Sequence, residues 1–232
     1  MRILTKKEIA PILLILLMII FALSLYAAPC VRRVPLHWNA QGEIDAWGNK
    51  TFVALFFPLL TMAIYLLMLF LPRIDPLKEN YVYFENAYYF IRLALVAFFA
   101  ALYIFTFFSA AGYHLNIVYF IVPALSVLFI VLGAVLPKIK RNYFVGIRTP
   151  WTLHSDIVWI KTHQFGSWCF ITAGILGVFA LFLDRRKIFP LFLIFVIISV
   201  IAPLVYSYLL YRKNNDNNHS NAERDTTRGV LK

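Results

Sequence analysis

The sequence is short of cysteine and of charge. Cysteine occurs twice in 232 residues, and charged residues make up only 14% of the chain. Soluble domains carry roughly 25% charged residues, so this composition argues against one. Cys30 follows the first apolar run and Cys169 lies inside the fifth, at opposite ends of the predicted topology. We therefore expect no disulfide between them, and their spacing fits no metal-binding motif.

The chain also lacks the short motifs of the common enzyme classes. It has no His-Glu-x-x-His zinc motif, no Gly-x-Ser-x-Gly elbow, no Walker loop and no paired carboxylates within its apolar runs. His154, Ser155 and Asp156 are sequence neighbours, whereas a catalytic triad converges from separate elements. We therefore predict no enzymatic activity, no catalytic residue, no cofactor and no metal site.

Apolar sequence, in contrast, is abundant at 62% of the residues. A helix needs about 20 apolar residues to cross a bilayer, and long apolar runs occur at residues 9–28, 52–71, 87–110, 114–136, 165–183 and 188–211. The runs are apolar on every face and lack the alternation of barrel strands, so each is predicted to be helical. The predicted fold is an all-α integral membrane protein, a bundle of six transmembrane helices.

The runs divide the chain into parts. Residues 1–72 hold the first two helices and an outer loop at 29–51, and residues 73–136 hold helices three and four, with a tight turn at 111–113 between them. Residues 137–211 hold an inner loop and helices five and six. The polar, asparagine-rich tail at 212–232 has little to bury and is predicted to be a disordered cytoplasmic segment. No internal repeat is present, so an inverted-repeat transporter is not supported.

Basic residues predict the orientation of the bundle. Cytoplasmic loops accumulate lysine and arginine, and placing the N-terminus inside puts 15 of the 22 basic residues on the cytoplasmic side and six outside. Both termini are therefore predicted to be cytoplasmic. The net charge of +11 is scattered over helix ends, which favours contact with anionic membrane lipids over direct nucleic-acid binding. Arg92 lies inside the third run, where we expect it to snorkel to the headgroups or to pair with Glu85.

The outer loop is predicted to form a small hairpin. Asn39-Ala40-Gln41-Gly42 is typical of a turn in which glycine supplies a positive φ angle. Trp38 and Trp47 would then lie at headgroup level. His37, Glu43 and Asp45 have cation-binding side chains without an established metal spacing. The loop is either a compact structural hairpin or a surface that recognises an outside partner.

The inner loop has the signals of a bend followed by a helix. Gly146 permits a tight turn, and Pro150 disfavours helical backbone at Thr149. Thr152 or Ser155 is expected to cap the next helix. Arg148 is expected to hold the loop through backbone carbonyls or to bind a lipid phosphate.

Two motifs in these loops resemble those of a known family. The outer motif is Pro35-x-His37-Trp38-Asn39-x-x-Gly42-x-x-Asp45-x-Trp47-Gly48. The inner motif is Asn142-x-x-x-Gly146-Ile147-Arg148-Thr149-Pro150-Trp151-Thr152, followed by Trp159-x-x-Thr162-His163. Together they resemble the SdpI family, bacterial immunity proteins against sporulation-delay-type peptide toxins, with its associated outer-loop domain.

The resemblance implies a multi-pass protein of the bacterial cytoplasmic membrane that protects the cell from a secreted peptide toxin. It also implies a relay in which toxin binding leads to sequestration of a cytoplasmic transcriptional repressor at the membrane. The residues implied on the toxin side are His37, Trp38, Asn39, Asp45 and Trp47. Those implied on the cytoplasmic partner side are Asn142, Gly146, Arg148, Thr149, Pro150, Trp151, Trp159, Thr162 and His163. The alternative function is a small membrane transporter or an envelope-stress sensor on the same scaffold.

Overall fold

The computed structural model describes residues 6–29 and 31–230, with side chains described up to residue 214. The helices are α1 (Ile9–Ala27), α2 (Lys50–Ile74), α3 (Glu85–Ala110), α4 (Val118–Val135), α5 (Pro150–His154), α6 (Asp156–Ala180) and α7 (Arg185–Val230), and the strands are β1 (Arg33–Trp38) and β2 (Ile44–Asn49). Short 3₁₀ turns lie at Lys6–Glu8, Lys78–Phe84 and Leu136–Lys138. Cys30 lies outside the described residues. The disorder predicted for 212–232 stays a prediction, because the side chains after residue 214 are not among those described.

Among the residues that the structure describes, five helical segments are long and apolar enough to cross a membrane: Lys6–Ala27, Lys50–Ile74, Lys78–Ala110, Val118–Lys138 and Arg185–Asn214. They correspond to five of the six predicted spans, and the protein is an α-helical membrane protein. α6 is not among the five, although it is 25 residues long. Its first third carries Asp156, Lys161, His163 and Gln164, which lower its hydropathy. The sixth crossing stays a prediction.

The bundle packs as two groups of three long helices. α1 contacts α2 and α3, α6 packs between α4 and α7, and contacts between α3 and α4 join the groups. Large apolar side chains such as Trp168 and Phe182 point outward and are exposed. An apolar exterior of this kind suits lipid rather than water, because hydrocarbon is the solvent that these side chains prefer.

The predicted outer turn between α3 and α4 is longer than expected. Gly112 adopts a φ of 96°, as a turn glycine does, but α4 begins at Val118 rather than near residue 114. Asn116 explains the later start, because its Oδ1 accepts a hydrogen bond from the Val118 amide at 2.9 Å and satisfies the first turn.

Arg92 differs from its prediction. Its side chain neither snorkels nor contacts Glu85; it is 4% exposed and pairs with Glu8 at the start of α1. Glu8 also accepts a hydrogen bond from the Tyr65 hydroxyl at 2.9 Å. The guanidinium faces the rings of Tyr65 and Tyr88, 5.9 and 5.7 Å from their centroids. The ion pair therefore joins α1, α2 and α3 in one buried cluster, which is cheaper than leaving a single charge unpaired.

Candidate functional site

The inner loop between α4 and α6 is organised around Asn142, which is fully buried. Its Oδ1 accepts hydrogen bonds from the amides of Phe144 at 2.9 Å and Val145 at 2.7 Å. Its Nδ2 donates to the carbonyls of Lys140 and Val145, both at 2.9 Å. The Asn142 side chain therefore satisfies backbone N–H and C=O groups of the loop, which have no helix or sheet partners.

Asp75, just after α2, anchors this loop from the other half of the molecule. It is 2% exposed, and its Oδ2 accepts from the Tyr143 amide at 2.9 Å and from the Tyr81 hydroxyl at 3.0 Å. Its Oδ1 accepts from the Leu77 amide at 2.7 Å. The Tyr81 hydroxyl also lies 3.3 Å from Asn142 Oδ1. Both carboxylate oxygens are thus satisfied by donors, which allows a carboxylate to remain buried here.

His163 holds the bend at Gly146. Its Nδ1 donates to the Trp159 carbonyl at 2.8 Å, so Nε2 is free to accept from the Ile147 amide at 3.0 Å. Gly146 has a φ of 109°, and a Cβ there would collide with His163 Nε2. The imidazole also stacks on the Trp159 indole, with centroids 4.1 Å apart. The bend therefore requires both residues, because His163 occupies the space that only a glycine at position 146 leaves open.

The environment of His163 favours its neutral form. The side chain precedes the apolar run 165–183, and burial lowers the pKa of His163 to about 4, only partly offset by the Trp159 carbonyl. Protonation would place a second N–H opposite the Ile147 amide and would replace a hydrogen bond with a repulsion. The imidazole acts as a fixed structural acceptor at neutral pH.

Two helix caps complete the loop. Thr149 caps α5 in a reciprocal capping box with Thr152, and its hydroxyl lies 3.1 Å from the Ser207 hydroxyl of α7. Ser155 caps α6 by accepting from the Val158 amide, as predicted for this position. The single turn of α5 was not predicted. The Trp151 ring packs on Tyr208, with centroids 5.1 Å apart, so the loop is tied to α7 as well.

Burial separates the nine predicted cytoplasmic residues into two groups. Asn142, Thr149, Trp159, Thr162 and His163 are at most 7% exposed. Arg148 and Pro150 are exposed, whereas Gly146 and Trp151 are half-buried. Arg148 donates to the Tyr143 carbonyl at 2.6 Å, which confirms the expected contact with a backbone carbonyl. Arg148 and Pro150, and in part Gly146 and Trp151, therefore have surface with which to touch a partner, whereas the five buried residues do not.

The outer loop forms an antiparallel hairpin of β1 and β2. Gly42 has the expected positive φ of 77°, and Asn39 Oδ1 accepts from the amides of Gln41 and Glu43. His37 Nδ1 lies 2.6 Å from Asp45 Oδ1 across the strands. Within the described residues, no group of His, Cys, Asp or Glu has the arrangement of a metal site.

The two predicted tryptophans of the hairpin lie in different surroundings. Trp38 packs edge-on against Phe105 of α3, with centroids 5.9 Å apart, whereas Trp47 is 50% exposed. The Trp38 Nε1 atom is buried without a hydrogen-bond partner among the described residues. Trp38 therefore contacts the helix bundle, whereas the ring of Trp47 is accessible at the surface.

A clasp at the Gln41 carbonyl fixes the tip of the hairpin. Asn116 Nδ2, after α3, donates to this oxygen at 3.0 Å. Arg185, at the start of α7, donates to it from Nε at 2.8 Å. A Cβ at Gly42 would collide with the Asn116 side chain, so glycine also meets a packing requirement here. The clasp thereby attaches the hairpin to the connection between α3 and α4 and to the start of α7.

Comparison with known proteins matches both loops. The SdpI/YfhL protein family model matches residues 138–207, from the inner loop through Ser207. The chain is similar to the SdpI/YfhL protein family over this segment. A domain of unknown function, DUF1648, matches residues 12–62, which include the hairpin. Immunity protein SdpI of Bacillus subtilis (strain 168) is 23% identical over 210 residues, covering 90% of this chain and 98% of that protein. No solved structure gives a significant match.

Several residues that support the SdpI/YfhL segment were not predicted as site residues. Asp75 and Tyr81 lie outside it, and Asn80 donates to the Arg141 carbonyl at 2.7 Å. Arg141 itself donates to the Leu153 carbonyl at 2.9 Å. The sequence held only a weak signal that Asp75 is a site residue: it is an acidic residue that closely follows a long apolar run. Its partner in the inner loop, Tyr143, is 68 residues away and leaves no local pattern.

Proposed function

We propose that this protein is an immunity protein of the bacterial cytoplasmic membrane that protects the cell from a secreted peptide toxin. The observation that carries the proposal is the similarity to immunity protein SdpI, which extends over 98% of that protein. A match of this extent covers 90% of this chain. It therefore supports a shared function better than a match confined to one domain.

The proposed topology has six transmembrane helices with both termini inside. The part of α6 after Gln164 supplies the sixth crossing, since α6 packs between α4 and α7. The hairpin then faces outward, where a secreted peptide arrives, and the inner loop faces the cytoplasm.

The relay to a cytoplasmic repressor is the finer part of the proposal. Arg148, Pro150 and the neighbouring Tyr143 are exposed, and the buried residues beneath them hold a fixed shape. A rigid loop with an exposed basic rim is suited to docking a soluble protein, because little conformational entropy is lost on binding.

The decisive test is survival. A sensitive bacterial strain that expresses the chain is exposed to graded doses of a sporulation-delay-type toxin, with empty vector as the control. We expect growth at doses that kill the control cells. Killing at the same dose despite normal membrane levels of the protein would contradict the immunity function.

A second measurement separates immunity from the alternatives. A transporter would lower the amount of toxin associated with the cells, whereas an immunity protein that binds the toxin leaves it membrane-associated. Labelled toxin on washed cells distinguishes the two outcomes.

A further inference from the structure

A groove opens between α3 and α4 within the membrane-spanning region. Its volume is about 560 Å³, within the roughly 300–1,000 Å³ of ligand sites. Its walls include Ala94, Ala97 and Ala101 of α3 together with Pro123 and Ala124 of α4. Small side chains at this spacing let another helix approach closely, which is how helices associate in lipid.

A second cavity of about 530 Å³ lies at the outer end of the same two helices. It is bounded by the hairpin, the α3–α4 connection and the start of α7, and its lining includes Glu43, Trp47, Tyr113, His114 and Arg185. Trp47 and Tyr113 are 50% and 60% exposed. Exposed Trp, Tyr and Arg side chains are the types that dominate binding to peptides and proteins.

An aromatic stack connects the groove to the hairpin. Phe120 lines the groove and stacks on Phe105, with centroids 4.6 Å apart and planes inclined by 20°. Phe105 in turn contacts Trp38 of β1. A molecule that displaces Phe120 would therefore press on the hairpin through two ring contacts.

We infer that the α3–α4 groove and the outer cavity together bind one amphipathic peptide, with its apolar stretch in the groove and its polar end in the cavity. The inference rests on the proposed function and names the site for the toxin. The peptide's backbone must be hydrogen-bonded inside the bilayer, so its apolar stretch binds as a helix against the alanines.

The chemistry of the cavity favours a peptide over an anionic lipid. A lipid tail also fits an apolar groove, but an anionic headgroup at Arg185 would meet the carboxylate of Glu43, whose Oε1 lies 3.7 Å from the Arg185 Nη2. A peptide terminus or polar segment offers both donors and acceptors and satisfies both side chains.

The first test uses substitutions whose larger side chains fill the groove. Ala97→Leu and Ala124→Leu are compared with Ala63→Leu, a matched substitution at an exposed position on α2. Binding of a fluorescent sporulation-delay-type toxin is measured with full-length protein in nanodiscs of phosphatidylethanolamine and phosphatidylglycerol. We expect the groove variants to bind at least tenfold more weakly and Ala63→Leu to bind like the unsubstituted protein.

Each outcome has a distinct meaning. Unchanged binding in the groove variants, or equal loss in Ala63→Leu, overturns the groove as the site while leaving the immunity function intact. Loss of co-purified lipid from the groove variants without loss of toxin binding identifies a lipid site instead. If the unsubstituted protein neither binds the toxin nor protects cells, the proposed function itself fails.

A second measurement needs no variant. A toxin that carries a benzophenone is photo-crosslinked to the unsubstituted protein, and the adducts are mapped by mass spectrometry. Adducts are expected within residues 90–101 and 119–131. Adducts confined to other helices would overturn the inference.

Discussion

The Nε2 atom of His163 lies 3.0 Å from the Ile147 amide, at the position where a side chain on Gly146 would stand. Gly146 and His163, 17 positions apart, thus share one space, and the loop closes only because Gly146 leaves it empty. The inner motif therefore holds residues that pack against each other, such as Gly146 and His163, as well as residues that form the loop surface.

Gly146→Ala is expected to destabilise the protein more than Gly112→Ala. Both glycines have positive φ, which costs a residue with a Cβ about 1–2 kcal/mol, but a Cβ at Gly112 meets nothing within 4 Å. Gly146→Ala adds the collision with His163. Thermal unfolding in detergent, followed by tryptophan fluorescence, measures both. Equal losses would show that the imidazole moves aside freely.

Acid is expected to weaken the inner loop. The pKa of His163 is about 4 in the folded protein and about 6.5 when unfolded, so the unfolded state binds more protons between these values. Stability should be constant above pH 6.5 and fall below it by at most about 1.4 kcal/mol per pH unit. His163→Gln, which keeps an acceptor but does not titrate, should lose less stability between pH 7.5 and pH 5. An identical acid response would assign the effect to other groups.

Asp75→Asn is expected to cost about 1–3 kcal/mol, the range for leaving a buried polar group unsatisfied. The new amide keeps an acceptor for Leu77 but presents a donor to the Tyr143 amide, which already donates to Asp75. Glu79→Gln is the matched control at an exposed position in the same connection. Unfolding midpoints that agree within error would show that Asp75 does not anchor the loop.

Arg92→Met or Glu8→Gln alone is expected to cost about 3–5 kcal/mol, because each leaves a buried charge without its partner. The double variant should recover much of this loss. Glu85→Gln, which breaks the exposed pair with Lys7, should cost no more than about 1 kcal/mol. Additive losses in the double variant would show that the two charges are not coupled.

If the proposed relay operates, Arg148→Ala and Trp151→Ala are expected to impair repressor recruitment while leaving toxin protection partly intact. Arg148 is exposed and Trp151 packs on α7, so neither lies at the centre of the hydrogen-bonded loop. The membrane-bound fraction of a fluorescent repressor and the survival assay measure the two functions in the same cells. Lys161→Ala, at an exposed position of α6, is the control. Loss of both functions together would mean that these residues serve folding.

Local sequence patterns predicted much of the fold. Five of the six apolar runs are helices able to span a membrane, since hydrocarbon permits no other backbone pairing for such runs. Gly42, Gly146 and Ser155 act as predicted because turns and caps depend on neighbouring residues. Local reasoning therefore succeeds where the partner is a few residues away.

The candidate site was less predictable, because its key contacts are distant in sequence. Arg92 pairs with Glu8, 84 residues away, and was wrongly expected to snorkel or to pair with the nearer Glu85. Asp75 meets Tyr143 across 68 residues. The burial of Asn142 and His163 beneath the loop likewise depends on packing that a single sequence does not encode locally.

The clasp at the Gln41 carbonyl also sets an order for assembly. The hairpin leaves the ribosome first, Asn116 follows after two more helices, and Arg185 follows only after the inner loop and α6. During membrane insertion the hairpin tip therefore gains its contact with Arg185 only after α6 has been made, and the clasp is complete only when the start of α7 arrives.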